Sequence, residues 1–288
     1  MPQTAGTTGL STAQRIVLAK ARYTAEHNAP AMALIEHFTL GKGQKQVTVP
    51  KVGTMSVTDL VDGEDITDEE DIGMTTVDLT SAEVGGKVIL TDKLVRQLNE
   101  SVYAIIGRQL GEAVARKKDT DVHALYSGLN ASVTLGLSGK LMSPANLGGC
   151  IAYAKANKFG SQLYVIHHPN AVADFVKAAA ITPSATYPVP DGWAADLLKE
   201  FFVGLRPLNG VPIFEDGNLV AGAATVGAIA NKDAMCVLES VKERTERQRD
   251  ASLRATEVVI TSDYGVFELD DKRGAPMTYS GAAQSTSA

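Results

Sequence analysis

The residues that could carry chemistry are few, and most stand apart from one another. His167 and His168 are adjacent, and two imidazoles at a strand end can ligate a metal or pass a proton when both face a cleft. Successive strand residues point to opposite faces, however, and no HExxH run or carboxylate stands at ligand spacing, so the pair reads as structural. His27, His37 and His123 are isolated and read as surface or core histidines. A phosphate loop needs glycine, four residues, then Gly-Lys-Ser/Thr, so that amides cradle phosphate while the hydroxyl holds magnesium. Here Gly139-Lys140 is followed by Leu141, and Thr134 stands where the first glycine belongs. Gly41 and Gly43 lack the third glycine of a dinucleotide fingerprint and precede a strand. There is no GxSxG elbow to present a nucleophilic serine. Cys150 and Cys236, the only cysteines, sit among apolar residues without CxxC spacing, which predicts reduced, buried thiols and no zinc. No catalytic residue, cofactor or metal is expected.

Charge clusters offer a different kind of chemistry, that of contact. Residues 62–71, DGEDITDEED, carry seven carboxylates: Asp62, Glu64, Asp65, Asp68, Glu69, Glu70 and Asp71. Their order does not match a calcium loop, which needs DxDxDG and a glutamate at position twelve. Two readings stand: a solvated loop, and a contact with a basic patch on another copy of the chain. Arg244, Arg247 and Arg249, with Lys242 and Arg254, offer such a patch, diluted by Glu243, Glu246 and Asp250. Arg15, Lys20 and Arg22 make a second, smaller basic cluster near the start, a candidate to face DNA. The formal charge of −6 and pI near 5.4 speak against a dedicated nucleic-acid binder.

The elements that must position these groups begin with a helix over residues 91–128. Leu94, Leu98, Val102, Ile105, Ile106, Leu110, Ala113 and Val114 recur every three or four residues, so they line one stripe. Thr91 suits the N-cap, Asp92 the positive end of the dipole, and Gly128 the stop. Such a helix would span on the order of 50 Å. Gly107 and Gly111 weaken it but leave a groove where another backbone can approach. Before it, residues 46–90 alternate as two strands around the acidic run, and Pro50 makes the first an edge strand. A hairpin of this length cannot bury both faces within its own subunit, so a partner surface is implied.

The remainder reads as a mixed α+β chain. A helix is expected over 12–26, and a helix or strand over 31–38. Further helices are expected over 143–158, with Ser143 as cap and Pro144 at the first position, over 170–180 and over 193–202. Strands are expected at 163–166, 210–214 and 234–238, with a proline-rich loop at 182–192. A closing hairpin is expected from 256–260 and 265–269, turning at Ser262 and Asp263. Residues 1–11 and 280–288 read as small, polar tails. The start, MPQTAGTTGLSTAQ, lacks a basic segment followed by an apolar core, and the longest apolar stretch, 219–230, is too short to cross a bilayer. The chain is therefore expected to be soluble, intracellular when made, and free of membrane contact.

Taken in order, these elements resemble the major capsid proteins of tailed bacteriophages, which have the Hong Kong 97-type fold. The likeness rests on LTDKLVRQLNESVYAIIGRQLGEAVARKKDTDVHALYSG, LYVIHHPNAVADFVKAA and RATEVVITSDYGVFELDD, and on element order across nearly the whole chain. It implies an N-terminal arm (1–45), an extended loop (46–90), a spine helix with peripheral domain (91–142), an axial domain (143–250), a return to the peripheral domain (251–279) and a tail (280–288). It further implies hexamers and pentamers tiling an icosahedral shell around double-stranded DNA, built in the host cytoplasm. Partners would be many copies of the same chain, portal and scaffolding proteins, a decoration protein and DNA held by non-specific contact. Family members that carry a fused scaffolding domain have a longer arm than this one. Lys42, Lys45 and Lys51 lie near the extended loop, but no partner asparagine is evident for a covalent cross-link. Two alternatives remain: an encapsulin-type nanocompartment shell, and a soluble enzyme using His167 or His168.

Overall fold

In the computed structural model, residues 29–52, 59, 73–93, 101–179 and 210–284 are described. The acidic run 62–71, the basic residues Arg15, Lys20 and Arg22, the loop at 182–192 and the helix expected over 193–202 lie outside them.

Three sheets and three helices organise the described residues. Strands β1 (Glu36–Thr39), β9 (Met235–Asp250), β10 (Ala255–Glu268) and β4 (Ala82–Thr91) form the first sheet, in the order β1-β9-β10-β4. The second runs β5 (Leu135–Gly136), β11 (Gly274–Tyr279), β8 (Thr225–Asn231), β6 (Leu163–His167) and β7 (Ile213–Glu215). The third is the base of the expected hairpin, β2 (Val47–Lys51) against β3 (Thr75–Leu79), in which Pro50 opposes Thr76. Two strands alone have only edges, which is where proline is tolerated. Val47, Val49, Val77 and Leu79 from this pair pack with Phe38, Cys236, Leu238 and Phe267 of the first sheet. The base of the hairpin is thereby anchored.

The long helix α1 is described over Ser101–Tyr126, about 40 Å. Thr91 closes β4, and Asp92 and Lys93 are already helical. Its buried line differs from the expected stripe. Ile106, Leu110 and Val114 pack on Leu90, Val258 and Ile260 of the first sheet, but Ile105 and Ala113 face outward. Further along, Lys118 and Asp119 occupy the buried line, followed by Val122 and Tyr126. A stripe drawn through apolar residues alone missed this, because polar groups with buried partners sit on the inward face.

Helices α2 (Pro144–Ala156) and α3 (Pro169–Ala179) cover the second sheet. The Ser143 hydroxyl accepts the Asn146 amide at 3.3 Å, as expected of its cap. Leu147, Ile151, Val172 and Phe175 bury themselves against Val165, Ile213, Ile229 and Met277. Between the sheets, Ala115, Val122 and Tyr126 of α1 meet Ile166, Ala228 and Ala230 on one side and Met235, Val237 and Tyr264 on the other. The long helix thus joins the two sheets through one core.

Three expectations fail here. The closing hairpin is a single strand, β10; register shifts between Thr261 and Tyr264 mark a bulge where a turn was expected. Bulge and turn both interrupt period-two alternation, so one pattern serves either. The true hairpin joins β9 to β10 through residues 251–254, with Arg254 at φ 47°. β8 and β11 were missed because Gly and Ala carry no strand signal, and their burial comes from neighbours on both sides. Lastly, the expected small, polar tail begins docked: the Ser280 amide donates to Lys140 O at 2.8 Å, the Asn170 side-chain amide donates to Gly281 O, and the Gln284 side-chain amide donates to Asn170 O, both at 3.0 Å. By sheet membership, β9 lies with β10 in the first sheet and β11 with β8 in the second.

Candidate functional site

The outer half of β9 holds the three arginines. Arg247 stands opposite Val258 and Arg249 opposite Thr256 in the ladder with β10. Arg244 pairs with Glu246 at 2.6 Å and both are well exposed, so this pair adds little stability and is easily exchanged. Arg249 makes a two-pronged contact with Asp92, at 2.5 and 2.7 Å, joining β9 to the residue that follows β4. The patch is therefore partly neutralised within the chain. Its expected partners at 62–71 lie outside the described residues.

The histidine pair proves to be two structural devices. His168 is the residue before Pro169, and its Nδ1 accepts the Asn170 amide at 3.1 Å, capping α3 as an Asp or Ser would. His167 is fully buried at the end of β6. Its Nδ1 accepts the His168 amide at 2.9 Å, and its ring lies 6.0 Å from that of Tyr279. Burial pushes its pKa down to about 4, and burial also lowers His168. Since the unfolded imidazole takes its proton near pH 6.5, the stability His167 contributes is complete above that pH and drains away as pH falls toward 4. We expect His167→Leu to unfold with a weaker pH dependence than wild type between pH 6.5 and 4, as measured by urea midpoints across that range.

Another group of polar side chains converges where sequence spacing gave only part of the signal. Asp119 and His123 stand one turn apart on α1, and Asp216 and Asn218 follow β7. His123 Nε2 lies 2.8 Å from Asp216 Oδ2 and 3.7 Å from Asp119 Oδ2. The Asn218 side-chain amide donates to Asp119 Oδ2 at 2.8 Å, and its backbone amide donates to Asp216 Oδ1 at 2.8 Å. The Ala31 amide, in the 3-10 turn Pro30–Leu34, donates to Asp119 Oδ1 at 3.2 Å. One ligand atom from each of Asp119, His123 and Asp216 falls within 4.8 Å of the others. These atoms are engaged with one another and with amides, so the set forms a hydrogen-bonded joint. The i, i+4 spacing of Asp119 and His123 was visible in the sequence; Asp216, 93 residues on, was not.

Next to Asp119 in the chain, Lys118 is 5 % exposed. Its ammonium contacts Glu243 at 2.6 Å and Glu239 at 3.2 Å, and sits 5.4 Å from the Tyr264 ring centre. Both groups tie the long helix to other elements and none presents a nucleophile beside a base. No described helix is long and apolar enough to cross a membrane.

Residues 75–276 match the model of a family described as phage capsid protein. No curated protein matches the sequence. Among solved structures, the chain is similar to the capsid of Ralstonia phage GP4, with TM-score 0.66, 10% identity, and 88% of each chain covered. It is also similar to the mature capsid of bacteriophage PhiM1, at TM-score 0.64 and 14% identity over 87% of each chain. The virus-like particle from Pyrococcus furiosus gives TM-score 0.57 and 10% identity, over 91% of this chain and 98% of that one. At such identities the likeness is one of fold, and the fold is the Hong Kong 97 type.

Proposed function

The chain belongs to the phage capsid protein family, and on that premise we propose that its copies assemble as hexamers and pentamers into an icosahedral shell around double-stranded DNA. It is a structural protein of the virion, and its capsid is its location. The observation that carries the reading is the family match over 75–276, supported by a long helix that joins two sheets and by a paired β2 and β3 packed on the first sheet.

In this reading the first sheet with α1 is the peripheral unit, the second sheet with α2 and α3 is the axial unit, and β2 and β3 are the root of the extended loop. Val52 and Met74, just beyond that root, are 54 % and 63 % exposed, as suits a loop that finishes its burial on a neighbour. The acidic residues 62–71 then meet Arg244, Arg247 and Arg249 of another copy. Exposed Arg244 can exchange Glu246 for such a partner at small cost. Arg15, Lys20 and Arg22 face packaged DNA, and portal, scaffolding and decoration proteins complete the particle.

Full-length protein should assemble, alone or with its scaffold, into shells visible by electron microscopy; a monomer under all conditions in light scattering would overturn the proposal. Replacing all seven acidic residues at 62–71 by Asn or Gln should leave the subunit folded by circular dichroism but reduce the assembled fraction severalfold, most strongly at low salt, where charge contacts reach furthest. The likeness to the Pyrococcus furiosus virus-like particle supports a second reading, an encapsulin-type shell around protein cargo. Nuclease-protected DNA in purified particles favours the first, and co-purifying cargo protein without DNA the second.

A further inference from the structure

The joint at Asp119, His123, Asp216 and Asn218 brings together three segments far apart in the chain: the Pro30–Leu34 turn, α1, and the residues after β7. Asp119 and Asp216 are both buried, at 0% and 1% exposure, and a carboxylate oxygen of one lies within 4.8 Å of a carboxylate oxygen of the other. Like charges this close in a poorly solvated site do not both persist. The surrounding donors indicate which group holds a proton. Asp216 has His123 Nε2 and the Asn218 backbone amide, both at 2.8 Å, whereas Asp119 has the Asn218 side-chain amide at 2.8 Å, the Ala31 amide at 3.2 Å and His123 Nε2 only at 3.7 Å, so the better-solvated anion is Asp216. We propose that a single proton, held on Asp119 beside the ionised Asp216, closes this joint, so that its presence sets how firmly the N-terminal segment, the long helix and the second sheet are locked together.

From α1, Glu112 and Arg116 line an open cleft beside Asp216, together with Glu215 from β7. Tyr126 lies with its ring 5.2 Å from His123, and Lys118 is held by Glu239 and Glu243. His168, the cap of α3, feels the charge of Asp216, and Tyr126 is raised by burial and then by Tyr164 of β6, Asp119 and Asp216. The Pro30–Leu34 turn brings no titratable side chain. The cleft gives solvent, and hence protons, a route to the pair.

Burial, reinforced by the neighbouring Asp216, raises Asp119 to about 8. Burial also works to raise Asp216, but hydrogen bonds from His123, Asp119 and Asn218 prevail and hold it below the usual carboxylate range. The ordinary value for Asp119 is 3.8. Its contribution to folding is therefore full below that pH, shrinks as pH rises, and is lost above about 8. Within the window, one proton taken up on folding makes the folding constant fall about tenfold per pH unit.

The test is an infrared titration of the full-length protein with thermal unfolding from pH 6.5 to 9, a range in which His167 is silent. Wild type should show a protonated-carboxyl band at pH 7 that disappears with a midpoint near 8, and Asp119→Asn should lack it. The unfolding temperature of Asp119→Asn relative to wild type should climb from pH 6.5 to 8 and then level. Burial also raises Glu215 and Glu268, so a band that survives in Asp119→Asn overturns the proposal, as does a pH-independent difference in unfolding temperature. Should that variant not fold, Asp216→Asn decides: removing the anion should lower the midpoint by more than one pH unit, and an unchanged midpoint overturns the proposal. A wild-type midpoint below pH 6 overturns it without any variant.

Discussion

Lys118→Ala should destabilise the folded chain by about 3–5 kcal/mol, the usual effect of removing one partner from a buried ion group. The lysine lies on the inward line of α1, and its ammonium answers both Glu239 and Glu243 on β9. Removing it leaves two carboxylates facing each other where water enters poorly, and also loses the stem that packs beside Tyr264. A fall in urea midpoint without a change in slope would confirm a pure loss of stability. Lys118→Met combined with Glu239→Gln and Glu243→Gln should recover most of the loss, because it removes the charges together. If the single variant costs less than about 1 kcal/mol, the group is exchanging with solvent and the buried ion-pair account fails.

Gly227→Ala should be nearly as damaging, at about 2–3 kcal/mol, and Gly227→Val worse. This glycine sits mid-strand in β8, between Met277 on β11 and the Ile166 and His167 end of β6. A β-carbon there would come 2.3 Å from the Ile166 carbonyl oxygen and 2.5 Å from His167 Cδ2. Backbone on one side and a buried ring on the other leave no flexible end to yield. The substitution raises strand propensity, so a prediction from propensity alone has the opposite sign. Soluble yield together with thermal unfolding would decide between them.

Legibility in the sequence followed the range of the interaction. Ser143 and Pro144 announced the start of α2 because a cap is satisfied within one turn. The alternation before and after the acidic run identified β2, β3 and β4, and the apolar spacing of Ile106, Leu110 and Val114 gave the face of α1 toward the first sheet. Failures arose where local pattern is ambiguous or absent. A bulge in β10 imitated a turn, and the small residues of β8 carried no period at all.

The sequence by itself determined the class of the protein: an α+β chain with strands before a long helix, in the order of a phage capsid subunit. These features rest on spacing and composition, which fold locally and can be read along the chain. Only the tertiary structure decided what the inward face of that helix does. Lys118 and Asp119 look like ordinary polar residues on a solvated turn, yet their partners arrive from β9 and from the residues after β7, about a hundred residues away. Burial, which governs both the cost of a charge and the value of a shared proton, depends on what the rest of the chain brings, and no local pattern records it.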